Sequence, residues 1–201
     1  MRRTRWHTRR AAILHGRVVY DARTMVDPAV GAMLAGAFAL LFVSAALDKL
    51  RSLQRFAEVF RGYRLLPESL ARLSWLVPAL EFTVGVGLLA RRSRAGASAA
   101  GAALLVAYAA AIAINLQRGR RDLACGCGGP HERRPIAAWM VWRNLLLAGL
   151  LGTMLLPWIA RPMAAADAVT IGAGTAVAAL LYMSLDRLLA QTTPAALRGS
   201  R

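Results

Sequence analysis

The chain has 201 residues, 57% hydrophobic and 18% charged, with 26 basic against 10 acidic side chains and a formal charge of +16. These figures, with a mean hydropathy of +0.44, exclude an ordinary water-soluble globule, a disulfide-rich secreted module and a disordered chain. The arginines cluster between long uncharged runs, so the positive charge belongs at bilayer edges against lipid headgroups and implies no nucleic-acid partner.

Residues 1–28 read as a basic arm that opens with Arg2, Arg3, Arg5, Arg9 and Arg10. Ahead of an apolar run such an arm resembles a secretory signal. The run that follows, 29–47, is longer than the ~7–15 apolar residues of a signal and ends on Asp48-Lys49 instead of a small-residue cleavage site. It is therefore read as the first of five transmembrane helices. The others cover 73–90, interrupted by Glu81, then 95–116, then 136–160, interrupted by Arg143, and finally 168–185. Each is long enough to cross about 30 Å of hydrocarbon as a helix. No period-two alternation suits a barrel, so the expected fold is an all-α polytopic membrane bundle. Its expected parts are a four-helix core over 29–160, a fifth transmembrane helix within 161–190 and a tail over 191–201.

Between the first two spans, residues 49–66 place Leu50, Leu53, Phe56, Phe60 and Tyr63 at helical spacing, with Arg51, Arg55 and Glu58 on the other side. That pattern fits an amphipathic helix lying in the interface and ended by Pro67, or a plain connecting helix. Small residues in the third span (Gly96, Ala100, Gly101) and the fifth (Gly172, Gly174, Ala176) read as close-packing faces. They are not nucleotide loops, because no strand precedes them.

The chain has two cysteines, Cys125 and Cys127, both in a glycine-rich connection between the third and fourth spans. An i, i+2 pair around Gly126 can close a strained disulfide, and a strained, exposed disulfide is easily reduced, as catalytic exchange requires. Arg120 and Arg121 nearby would favour the thiolate. The alternative is a metal site in which Cys125, Cys127 and His131 bind Cu(I) or Zn. That set is one ligand short of a closed tetrahedron.

Charged side chains at membrane depth usually face the bundle interior with a partner. Counted from the Cys-loop end of their spans, Glu81 and Arg143 lie at depths of about 12 and 10 Å at ~1.5 Å per residue. The depth count pairs them. Pro78 frees the Ser74 carbonyl one turn away, and Asn115, Asn144, Asp48 and Lys49 fall toward the same end. A polar cluster is expected below the Cys loop, tuning the site or relaying a proton.

With these residues in view, the chain resembles the MauE family of redox-associated membrane proteins, relatives of the DoxX family. The resemblance rests on Asp48-Lys49, on Phe56 with Tyr63-Arg-Leu-Leu-Pro67, and on Pro78-x-x-Glu81. Asn115-Leu-x-Arg-Gly-Arg120 leading into Cys125-Gly-Cys127-Gly, and then Arg143-Asn144, complete it. It covers about residues 30–150, departing at Ala124, where the family often has Asp, and at Gly128-Gly-Pro130. The resemblance implies an accessory protein for methylamine dehydrogenase maturation, working with a thioredoxin-like partner on disulfides of an extracytoplasmic client.

Three functions follow as expectations. The first is a membrane thiol–disulfide protein whose terminal electron donor or acceptor is unidentified, a quinone being a candidate. The second is a non-enzymatic assembly factor, or Cu(I) handler, using the same loop. The third is a small-solute transporter with Glu81 as coupling carboxylate. The expected location is the plasma membrane with the N-terminus cytoplasmic and the Cys loop extracytoplasmic. Basic residues number 11 on the face of the N-terminus and 14 on that of the Cys loop, totals that alone lean toward a cytoplasmic loop. The Arg cluster ahead of the first helix and the in-plane position of several loop arginines favour the extracytoplasmic loop instead. An oxidising exterior also offers a reducible disulfide its clients.

Overall fold

The computed structural model describes residues 27–65, 67–125, 135–156 and 162–191. The first helix, α1 (Pro28–Arg51), starts where Asp27 Oδ1 accepts from the Ala29 amide at 2.8 Å and Pro28 presets the first turn. Lys49 thus belongs to the first span, not to the connection that follows. The chain breaks at Ser52 and continues as α2 (Leu53–Gly62), an amphipathic helix with no fully buried residue. It ends at Gly62, ahead of Pro67, and Arg64 just beyond takes a φ of 48°. The carbonyls of Gly62, Tyr63 and Arg64 are claimed there by arginines of the Cys segment, so the ending is tertiary and not a proline effect.

A single turn, α3 (Glu68–Ala71), and a 3₁₀ turn (Arg72–Trp75) lead into α4 (Leu76–Leu89). Pro78 falls in the first turn of α4, where a missing amide is tolerated, so no helix interior is broken there. The third span is α5 (Arg94–Gln117). Gly119, at φ 74°, closes it with a Schellman arrangement: Gly119 N–H donates to the Leu116 carbonyl and Arg120 N–H to that of Asn115, both at 3.0 Å. The fourth, α6 (Ala138–Gly152), continues as 3₁₀ through Leu155. It starts later than expected because Ala137 is extended and the Ile136 amide donates to the Leu123 carbonyl at 2.9 Å. The fifth, α7 (Ala165–Gln191), runs past the expected end at 185 and carries Asp186 within it.

Among the described residues, five helices are long and apolar enough to cross a membrane. Among the described residues α4 packs between α1 and α5, α6 packs on α5, and α7 lies along α1. Phe38, Phe42, Val84, Leu88, Leu105, Leu151 and Met154 fill the core. Gly101 permits this packing, since a Cβ there would lie 2.7 Å from Leu151 Cδ2 and 3.0 Å from Val84 Cγ1. Gly174 faces Met33 just as closely, and Thr175 Oγ1 donates to the Met33 carbonyl at 3.2 Å, seating α7 on α1. Gly96 and Gly172, expected on the same packing faces, border open space. Leu40, Leu146, Val169, Leu180 and Leu181 point outward, as apolar side chains do when lipid is the solvent.

Candidate functional site

The ends of α1 and α5, the starts of α4 and α6, and the Cys segment gather at one end of the bundle. Lys49 and Glu81 meet there: Nζ donates to Glu81 Oε1 at 2.8 Å, with the residues 7% and 1% exposed. Tyr108, midway along α5, donates its hydroxyl to the same oxygen at 2.8 Å. Lys49 Nζ also donates to the Ala45 carbonyl at 3.5 Å and lies 5.7 Å and 5.9 Å from the ring centres of Phe56 and Tyr108. A carboxylate, a backbone carbonyl and two ring faces thus compensate one buried ammonium. Glu81 Oε2 is buried without a hydrogen-bond partner among the described residues.

This corrects the expected Glu81–Arg143 pair. Arg143 donates to Asp186 of α7 and stacks over Trp139 at 5.2 Å. Depth along a span gives height but not direction: α4 turns Glu81 toward α1 and α5, while α6 turns Arg143 toward α7. Of the other expected members, Lys49 joins Glu81, Asp48 reaches Arg51, and the two asparagines bond elsewhere. Asn144 donates to the Met140 carbonyl of its own helix at 2.9 Å. Asn115 donates to the Ala111 carbonyl and accepts from Arg120 at 3.1 Å. Tyr108 and Asp186 were not expected. A lone tyrosine in an alanine-rich span, and an acid one residue past a span's apparent end, were the signals for them.

Arg120 holds the Cys segment in place. Its Nη2 donates to the Gly62 carbonyl at 2.8 Å while Nη1 reaches Asn115 Oδ1. Arg118 Nη1 donates to the Arg64 carbonyl at 3.3 Å. Arg120 is therefore spent as a brace between α5 and α2 instead of being directed at a thiolate. The segment closes by a bridge between Ala124 and Pro135, and Tyr63 donates its hydroxyl to the Cys125 carbonyl at 3.3 Å. Cys125 is half-buried. Cys127 and His131 lie outside the described residues, and with them the rest of the disulfide and metal sets. Among the described residues no three His, Cys, Asp or Glu side chains come together.

A cavity of about 270 Å³ extends between Lys49 and Cys125, walled by Phe56, Val59 and Phe60 of α2, Val77 of α4 and Ile112 of α5, with Tyr108 beside Lys49. The polar centre of the bundle and the cysteine segment thus border one chamber.

Five apolar helices around a buried lysine–glutamate pair define a polytopic integral membrane protein. The chain belongs to the MauE family: the model described as methylamine utilisation protein MauE matches residues 27–157, which take in α1 through α6. It is 39% identical over 169 residues to the methylamine utilization protein MauE of Paracoccus denitrificans, covering 82% of this chain and 89% of that one. The Methylophilus methylotrophus protein of the same name is 35% identical, with 83% and 90% covered. That of Methylorubrum extorquens is 34% identical, with 79% and 85% covered. No solved structure matches significantly.

Proposed function

We propose that this methylamine utilisation accessory protein is a thiol–disulfide exchanger of the plasma membrane. Cys125 and Cys127 would open and close a disulfide against a thioredoxin-like partner, helping to mature an extracytoplasmic client. The observation that carries the reading is the placement of Cys125: its carbonyl held by Tyr63, it borders a chamber also lined by Lys49, the partner of buried Glu81. A segment used only as a connection has no need of such bracing at a bundle's polar centre. Glu81 Oε2 offers a place for a proton when a thiol is deprotonated, and Tyr108 and Lys49 hold that carboxylate in position. The N-terminus is assigned to the cytoplasm and the Cys segment to the exterior, where disulfides persist.

Cys125→Ser and Cys127→Ser test the exchange. Each single variant should insert normally and fail to restore growth on methylamine in a strain deleted for the gene. The variant that keeps the attacking thiol should accumulate a mixed disulfide, visible as a dithiothreitol-sensitive adduct on a non-reducing gel. Full growth with both single variants would overturn the proposal.

A further inference from the structure

The chamber beside Lys49 has chemistry of its own. Its walls are aromatic and aliphatic, and at its polar end stand an ammonium and a phenol. An ammonium has three N–H donors. Glu81 Oε1 and the Ala45 carbonyl take two from Lys49, which leaves one for an occupant. The positive charge is already matched by Glu81, so the site favours a neutral acceptor such as a carbonyl oxygen over a carboxylate. Phe56 and Phe60, with ring centres 6.0 Å apart and planes tilted by 45°, give the chamber an aromatic side against which a ring can pack. The volume stands near the lower end of small-ligand pockets, about 300 Å³, the size of one substituted ring. One wall is the amphipathic helix α2, so an apolar tail can leave along the lipid interface.

We propose that this chamber is the head-group site of a membrane quinone, a lipid-soluble ring dione that receives the electrons released when the Cys125 and Cys127 thiols join. The inference rests on the thiol–disulfide reading. In the step two S–H bonds break and one S–S bond forms. Two electrons and two protons pass to the dione, whose two C=O groups become C–OH. Lys49 donates to one carbonyl oxygen and stabilises the negative charge that grows there as electrons arrive.

The test uses the full chain in phospholipid nanodiscs with a ring-azido ubiquinone as photolabel. The label should fall on residues of 53–63 and 108–118 and be suppressed by excess ubiquinone-1. The Lys49→Met, Glu81→Gln double variant should lower labelling at least ~10-fold, the loss of one charged hydrogen bond. Val59→Trp, which fills the chamber from α2 without touching the ion pair, should lower it comparably. Pre-reduced protein should convert one ubiquinone-1 to the quinol for every two thiols lost. Labelling spread over the outward face of α7 and unchanged in both variants would overturn the site. So would a photoreactive phospholipid that labels 53–63 and is not displaced by ubiquinone-1, since an acyl chain would then be the occupant. Labelling reads occupancy of the chamber and needs no thiol exchange, so it is scored independently of growth on methylamine. A failed exchange reading would show in the growth assay and leave this label intact, whereas a failed site would leave the parent protein unlabelled.

Discussion

Lys49 and Glu81, thirty-two residues apart in the chain, form an ion pair of 2.8 Å inside the bundle, with side chains 8% and 2% exposed. It ties the end of α1 to the start of α4. Removing either partner strands a charge in a low-dielectric interior, so Lys49→Met alone should cost about 3–5 kcal/mol. Lys49→Met with Glu81→Leu should recover much of that loss. Unfolding of the purified variants in detergent checks it, and losses that simply add would show that the pair is not coupled.

Arg143 and Asp186 make a half-buried ion pair between α6 and α7. A double-mutant cycle with Arg143→Leu and Asp186→Leu should give a coupling of about 0.5–3 kcal/mol, whereas a Glu81 and Arg143 cycle should be additive within about 0.5 kcal/mol. The reverse pattern would restore the pairing suggested by depth alone.

Arg120 bridges Asn115 and the end of α2. Arg120→Ala should loosen the Cys segment, raising the rate of Cys125 alkylation in reduced protein several-fold while lowering stability by about 1–3 kcal/mol. Arg120→Lys should correct this only in part, because a lysine lacks the planar fork that reaches two acceptors at once. Equal alkylation rates in all three proteins would remove the bracing role.

Two glycines of α5 should respond oppositely to the same change. Gly101→Ala must displace Leu151 and Val84 and should cost about 1–3 kcal/mol. Gly96→Ala meets nothing and should be neutral, or stabilising by up to about 1 kcal/mol. Thermal unfolding of the two variants side by side decides it.

Much of the fold is legible in the sequence. Runs of apolar residues specify spans because lipid forbids unsatisfied backbone, and the five expected helices are present, shifted by a few residues at their ends. The amphipathic phase of 53–62 was equally readable. Pairing was not. Glu81 and Arg143 share a depth, but their partners depend on which helix stands beside which, and that rests on contacts such as Gly101 against Leu151 or Gly174 against Met33. Tyr108 escaped notice because a tyrosine in a span is usually filler, and its hydroxyl acquires meaning only when α4 brings Glu81 alongside. Arg120 looked like a charge for a thiolate until the end of α2 supplied carbonyls for it.

The central claim, that Cys125 and Cys127 form a working disulfide centre on the outer face, is tested most directly in intact cells. Cells are treated briefly with a mild reductant, labelled with a membrane-impermeant maleimide and quenched before lysis. The account predicts that unreduced cells leave the pair unlabelled and that reduced cells gain two labels, both lost in the Cys125→Ser, Cys127→Ser protein. Labels that enter only after lysis, or that enter fully without reductant, would contradict it.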